Sequence, residues 1–153
     1  PSTIEKPVSD VLNYSLTTLV KWYDCDEKHV EHVVNLSIQL FKQLRVLHKF
    51  PRQYLKVLKV AATLHDCGMR IKYYNHQRHS WYMILNANLY GVSHREIVLA
   101  AFTACCHKKE DINPLDWARF KDILREEDIE IVKRLGVMLR IAESLDRSMS
   151  GCI

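Results

Sequence analysis

Apolar residues recur every three or four positions along almost the whole chain, the spacing that places them on one face of an α-helix. No stretch alternates apolar and polar residues with the period of two that strands require. This pattern predicts helices over residues 10–23, 24–48, 52–66, 80–86, 93–107, 115–124 and 126–148. We therefore predict an all-α fold, a bundle of about six or seven helices that forms a single domain over residues 1–153.

Short polar signals set the predicted ends of these helices. The pairs Asp24 with Glu27 and Ser93 with Glu96 have the spacing of capping boxes, in which two side chains bind the first free backbone N–H groups. Gly68 follows the third helix, where a glycine in the left-handed conformation commonly ends a helix. We predict that each signal acts at its helix end.

Composition excludes several classes of protein. The 153 residues are 48% hydrophobic and 26% charged, unlike a disordered chain. No apolar run approaches the roughly 18 residues of a membrane helix, so no membrane partner is expected. The five cysteines contain no Cys-x-x-Cys pair, which excludes zinc ribbons and favours a reducing compartment. We expect a cytoplasmic protein.

The charge balance suits an anionic ligand. Lys and Arg number 22 against 18 Asp and Glu, a net charge of +4. Several basic residues follow the candidate chemical groups described next, namely Arg70, Lys72, Arg78, Lys108, Lys109, Arg140 and Arg147. They could form a phosphate-binding rim, or each could simply be solvated at the surface. Because they scatter over several elements, nucleic acid is the least favoured partner.

Four histidines lie at predicted helix ends or on apolar helix faces. His65 and Asp66 end a buried apolar run, His29 lies on the inward stripe of its helix, His107 ends another helix, and His79 precedes a short one. Any one of them could be a core histidine satisfied by a single hydrogen bond. Together they predict a site that uses imidazole and carboxylate groups.

The final helix offers two carboxylates, Glu143 and Asp146. They are three residues apart and share the face that carries Leu139. A carboxylate beside an apolar stripe is costly to bury unless it is paired or bound to a cation. Pairing of Glu143 with Arg140 or Arg147 at helical spacing is the alternative to a cation.

Several motifs, in order, resemble the HD-type helical domain of the exopolyphosphatase and guanosine pentaphosphate phosphohydrolase (Ppx/GppA) family. The matching segments are residues 26–33, with His29; 61–68, with His65 and Asp66; 75–82; 91–96; and 139–148. The actin-like region that precedes this domain in the family has glycine-rich phosphate loops, and this sequence has no counterpart of it. The resemblance therefore concerns the HD-type domain alone.

The resemblance implies a divalent metal, Mg, Mn or Fe, held by His29, His65, Asp66 and either Glu143 or Asp146. Glu143 stands where HD hydrolases carry Asp, and Gln77 where the family often has a second adjacent histidine. Asp66, His79 and His107 would be the catalytic residues; the two histidines would complete a second metal position or protonate the leaving group.

The implied activity is hydrolysis or binding of polyphosphate or guanosine polyphosphate. The alternative is a non-catalytic module whose HD site is degenerate and holds no metal. Such a module would bind polyanions, dimerise, or regulate a catalytic region elsewhere. Its own N-terminal catalytic region or a second copy of the chain would then be the partner.

Overall fold

The computed structural model describes residues 6–72, 74–108 and 112–151, and this part of the chain contains helices and no strand. The all-α prediction is confirmed. The helices are α1 (Lys6–Trp22), α2 (Glu27–Gln43), α3 (Arg45–His48), α4 (Gln53–Leu64), α5 (His76–Leu85), α6 (His94–Cys105), α7 (Pro114–Ala118) and α8 (Glu127–Gly151). A 3₁₀ turn, Cys67–Arg70, lies between α4 and α5.

The capping predictions have mixed outcomes. The Ser93 box is confirmed, since Ser93 and Glu96 bind each other's backbone N–H at the start of α6. The Asp24 box is wrong: Asp24 has a left-handed backbone with φ 53°, and the N-cap of α2 is Asp26. The Asp26 carboxylate accepts the backbone N–H of His29 at 3.2 Å. The helix therefore starts two residues later than the box predicts.

Three predicted helices have other bounds. The helix predicted over residues 24–48 is interrupted at Leu44, where ψ is 8°, and continues as α3. The short helix predicted over 80–86 begins earlier, at His76, after Asn75 in the left-handed conformation. The helix predicted over 115–124 ends at Ala118 and continues as turns.

Helix α4 lies at the centre of the fold and packs against α1, α2, α6 and α8. The continuous apolar run of its second half explains this position, because a helical segment that is apolar on all sides must be enclosed. Residues 60–65 are all buried. His65 and Asp66 follow directly, so the core itself positions this pair.

The remaining packing brings distant segments to the end of α4. Helix α2 packs against both α4 and α8, while α5 packs against α6 and the 3₁₀ turn. Candidate residues more than a hundred positions apart in sequence therefore meet. No helix of the described residues is long and apolar enough to cross a membrane.

Candidate metal centre

The imidazole of His65 is fully buried and has one nitrogen satisfied and one unsatisfied. Nδ1 donates to the carbonyl oxygen of Ala62 at 2.7 Å, one turn earlier in α4. Nε2 makes no hydrogen bond, although it lies 3.2 Å from Oδ2 of Asp66 and 3.4 Å from Oε2 of Glu143. Because Nδ1 carries the donated proton, Nε2 of the neutral ring directs a lone pair at two carboxylate oxygens.

His29 on α2 lies between two carboxylates. Its Nδ1 contacts Oδ2 of Asp146 at 2.7 Å, and its Nε2 lies 3.3 Å from Oδ2 of Asp66. The other oxygen of Asp146 contacts Nδ1 of His32 at 2.9 Å. Asp146 therefore lies behind His29 and fixes the orientation of its ring.

His29, His65, Asp66 and Glu143 form the first group of possible metal ligands, with one donor atom from each within 4.8 Å of the others. Two imidazole nitrogens and two carboxylate oxygens are donors that suit divalent first-row metals. The Glu143 side chain reaches this group from α8, whereas Asp146 is not part of it. The group thus includes the acid at the position where the resemblance expects Asp.

Asp66, His76 and His107 form a second group around the other oxygen of Asp66. Oδ1 lies 3.1 Å from Nε2 of His76 and 3.4 Å from Nε2 of His107. The Nδ1 of His107 is bound to the carbonyl oxygen of Ala104, as His65 is bound to that of Ala62. Asp66 is therefore shared, with one oxygen facing each group.

Gly68 allows the second group to form. It does not adopt the predicted left-handed conformation but lies in the 3₁₀ turn, so that prediction is wrong. A Cβ atom there would lie 2.1 Å from the carbonyl oxygen of His76 and 2.4 Å from the backbone nitrogen of Ser80. Only glycine permits this approach, in which the Gly68 N–H donates to Oγ of Ser80 at 2.8 Å. The start of α5, with His76, is thereby held against Asp66.

The electrostatics of the site favour positive charge. Burial alone would raise the pKa of Asp66, but the neighbouring side chains of His107, His29 and His65 hold it well below its usual range. The hydrogen bond to Asp66 raises the pKa of His29 to about 9 despite burial, and Asp146 contributes to the rise. Burial opposes protonation of His65 too, yet Asp66 and Glu143 still raise its pKa.

His107 differs from these histidines, since burial lowers its pKa. The neutral ring is the form that ligates a metal. The first group therefore attracts a cation, while His107 stays neutral and able to donate its lone pair.

A pocket of about 440 Å³ gives access to the first group. His29 and Asp66 line it together with residues of the α1–α2 connection and the 3₁₀ turn, including Cys25 and Arg70. Arg70 is exposed, and its guanidinium lies 3.8 Å from Asp24. An anion that enters this pocket would meet Arg70 on the way to Asp66.

The structure brings five of the predicted site residues into the cluster: His29, His65, Asp66, His107 and Glu143. His79 is half-buried on α5 and belongs to neither group. His76, one turn before it on α5, lies in the second group, the place predicted for His79. Sequence reasoning missed His76 and His32, although the two neighbouring histidines of residues 75–82 are a signal that either one could be a ligand.

The predicted phosphate rim is only partly assembled. Arg78 forms a two-contact ion pair with the buried Asp116, one contact at 3.0 Å, and its guanidinium lies 4.4 Å from the centre of the Trp81 ring. Arg147 contacts Oε1 of Glu143 at 3.2 Å, which leaves Oε2 directed at His65. The predicted pairing of Glu143 with Arg147 is thus present, and its other oxygen still lies beside His65.

The other predicted basic residues are distributed over the surface. Lys72 and Lys108 are exposed, and Arg140 is half-buried. Lys109 lies outside the described residues. Among the basic residues predicted to form the rim, Arg70 and Arg147 lie beside the first group.

Comparisons with known proteins give a consistent result. The model of a protein family described as "Ppx/GppA phosphatase, domain III" matches residues 11–153. A guanosine-5'-triphosphate,3'-diphosphate pyrophosphatase of Aeromonas salmonicida (strain A449) is 30% identical over 83 residues. The enzyme of the same name from Aeromonas hydrophila subsp. hydrophila is 29% identical over 83 residues. Each match covers 54% of this chain and 17% of the relative.

Proposed function

The chain belongs to the Ppx/GppA phosphatase family, whose domain III it contains, and we propose that its histidine–carboxylate cluster is a divalent-metal centre of the HD type. The reaction that suits such a centre is hydrolysis of a phosphoric anhydride. The proposed substrates are polyphosphate or guanosine polyphosphate, the latter because the two relatives are named for it. The described cysteines are free thiols, which agrees with the reducing cytoplasm as the location.

The observation that carries the proposal is the unpartnered Nε2 of His65. A buried polar atom without a hydrogen bond costs free energy, roughly 1–3 kcal/mol. In the neutral ring its lone pair faces carboxylate oxygens of Asp66 and Glu143, a repulsion that either a proton on Nε2 or a metal cation among the three atoms relieves. The donor set therefore fits a divalent metal.

The residues divide into ligands and groups that orient ligands. His29, His65, Asp66 and Glu143 would hold one ion, and Asp66, His76 and His107 a second. Mg, Mn or Fe ions, when bound, polarise phosphoryl oxygens and lower the pKa of water. Asp146 fixes the ring of His29, and the carbonyl oxygens of Ala62 and Ala104 fix His65 and His107. Such support of ligands by neighbouring groups tunes metal affinity in known centres.

The approach of the substrate is assigned to the pocket beside His29. Arg70 in the pocket wall would pair with phosphate oxygens, and Arg147 would hold the carboxylate of Glu143 in position. His79 has no ligand role in this proposal. His107 would serve the second position as a ligand rather than as a proton donor, because its Nε2 already faces Asp66 and His76.

Metal analysis combined with phosphate release tests the proposal. The purified chain should retain Mn²⁺ after dialysis and release phosphate from polyphosphate or guanosine pentaphosphate with Mn²⁺ or Mg²⁺. The His65→Ala/Asp66→Ala double variant should do neither. The matched control is His94→Ala, which removes an exposed histidine at the start of α6. Wild-type protein without metal, and with no more activity than the double variant, would overturn the proposal.

A second candidate is a non-catalytic regulatory or polyanion-binding module. The short contacts of Asp146 with His29 and His32 favour it, because protonated histidines and carboxylates can satisfy one another without a metal. This candidate predicts that the wild type retains no Mn²⁺ and releases no phosphate, while polyphosphate affinity survives the His65→Ala/Asp66→Ala change. The domain would then act through its own N-terminal catalytic region or through a second copy of the chain.

A further inference from the structure

The positive charge of the chain is concentrated in one segment that the metal centre does not use. Residues 42–59 contain six Lys and Arg and no Asp or Glu. The rest of the chain carries 16 Lys and Arg against 18 Asp and Glu. The segment therefore accounts for more than the whole net charge of +4.

Part of this charge is neutralised within the fold and part is not. Lys56 pairs with Glu96 at 3.1 Å, and Lys59 donates to the side-chain oxygen of Asn13. Lys42, Arg45 and Arg52 are exposed, and within the described residues no carboxylate pairs with any of them. Lys49 is exposed as well, so four of the six cations are left to the solvent, and Lys42, Arg45 and Arg52 form a set of three.

These three cations line one pocket, which we call the basic pocket. It has a volume of about 410 Å³, and its other lining residues are Phe41 and Leu55. The three side chains come from the end of α2, the start of α3 and the N-cap of α4. Apolar walls behind charged groups lower the local dielectric constant and strengthen attraction for an anion.

The start of α4 adds to the positive potential. Arg52 is the N-cap residue, and no side chain caps this 12-residue helix. The N–H groups of Tyr54 and Leu55 donate to the carbonyl oxygens of Pro51 and Arg52, so these two are not available to a ligand. The helix dipole still places partial positive charge at this end, which adds to the attraction of the basic side chains for phosphate.

The basic pocket is separate from the metal centre. Phe41 lies 12 residues beyond His29 on the same helix, which at 1.5 Å per residue is about 18 Å along the axis. No residue of the pocket belongs to either ligand group. An occupant of the pocket would therefore be a distinct ligand or a distant part of a long one.

We propose that the basic pocket binds a short phosphoanhydride chain, either inorganic tripolyphosphate or the triphosphate group of a nucleotide. Three cations provide one positive charge for each of three phosphate groups, and the volume is at the small end for ligand pockets. Phe41 is only 3% exposed, so no aromatic face is offered to a base. The phosphates are recognised, and the nucleoside is not.

Calorimetric titration of the full chain in EDTA tests this directly. Tripolyphosphate and adenosine triphosphate should bind with similar affinity, and orthophosphate more weakly. The Arg45→Gln/Arg52→Gln variant should bind tripolyphosphate about a hundredfold or more weakly, since it loses two charge-assisted contacts and each is worth about tenfold. The matched control, Arg119→Gln/Lys133→Gln, changes the net charge equally at exposed sites and should bind like wild type.

The remaining outcomes are also decisive. Equal loss of affinity in both double variants would mean non-specific attraction and overturn the proposal. Val46 and Leu47, which follow Arg45 in the sequence, are 81% and 74% exposed. Binding to vesicles that contain phosphatidylserine must therefore be measured as well. Vesicle binding without tripolyphosphate binding would assign the surface to membranes instead. Retained tripolyphosphate affinity in His65→Ala/Asp66→Ala would confirm that the pocket is independent of the proposed metal centre.

Discussion

The Nε2 atoms of His76 and His107 lie 3.2 Å apart. Because the Nδ1 of His107 is committed to the carbonyl oxygen of Ala104, the lone pair of its neutral ring points toward His76. Both atoms also lie within 3.4 Å of Oδ1 of Asp66. Three donor atoms that converge in this way favour a cation or a shared proton.

The sharing of Asp66 predicts a specific pattern of metal content. We expect about two equivalents of Mn²⁺ in the wild type, the number in two-metal phosphatase sites. Glu143→Gln removes a ligand of the first group only, and His107→Gln one of the second, so each should retain about one equivalent. Asp66→Ala should retain essentially none, because its two oxygens face both groups.

Mass spectrometric metal analysis after dialysis checks these values. Asp122→Ala, an exposed acid outside both groups, serves as the control and should match the wild type. If Asp66→Ala kept one equivalent, Asp66 would not be shared in the way its geometry suggests.

Asp146 should affect metal affinity without being a ligand. Asp146→Asn weakens the contact that orients His29, and loss of such an orienting partner typically costs about 10- to 100-fold in metal affinity. His32→Ala removes only the contact to the other oxygen and should have a smaller effect. Competition with a fluorescent chelator measures both affinities. A full loss of metal in Asp146→Asn would instead identify Asp146 as a ligand.

Gly68→Ala should destabilise the fold and the second ligand group together. The added Cβ would overlap backbone atoms of His76 and Ser80, which cannot yield as a flexible side chain does. We expect a loss of about 3 kcal/mol or more in urea unfolding, at the upper end for overpacking.

Gly91→Ala is the comparison for this substitution. Gly91 has φ 85°, so alanine there should cost only the strain of a left-handed backbone, about 1–2 kcal/mol. Metal content should fall in Gly68→Ala and not in Gly91→Ala. Equal unfolding free energies for the two variants would contradict the role assigned to Gly68.

Cys25 should react slowly with alkylating reagents at neutral pH. Burial, together with the Asp66 and Asp24 carboxylates, raises the pKa of its thiol to about 11. Since the thiolate is the nucleophile, the rate should rise about tenfold per pH unit from pH 7 to 10. Peptide-resolved mass spectrometry after iodoacetamide treatment of EDTA-treated protein measures this rate. A rate that is half-maximal near pH 8.5 and levels off by about pH 9.5, the behaviour of a free cysteine, would contradict the raised pKa.

Local sequence signals predicted the presence of the helices better than the residues at which the helices begin and end. Hydrophobic periodicity predicted the long helices, and the apolar run before His65 correctly indicated a buried helix that ends in candidate ligands. The start of α5 could not be found in this way. It depends on the left-handed Asn75 and on the close approach of Gly68 to Ser80, a contact across twelve residues.

The dependence on tertiary contacts also explains why the sequence indicated His79 and not His76 as a site residue. His76 and His79 look equivalent in sequence, and only the packing of α5 against the 3₁₀ turn places His76 beside Asp66. The roles of Glu143 and Asp146 likewise depend on the rotation of α8 against α2. Residue types and spacing were enough to suggest imidazole–carboxylate chemistry, whereas the assignment of individual atoms required the tertiary contacts.

The enclosed second half of α4 also has an evolutionary consequence. A substitution among residues 60–65 alters a packed contact with neighbouring helices, and any tilt of the helix axis displaces His65 and Asp66 with it. Inherited variation should therefore accumulate elsewhere, for example on the exposed face of α1 or on α3. Among proteins that descend from a common ancestor, residues 60–65 should therefore accept the fewest substitutions.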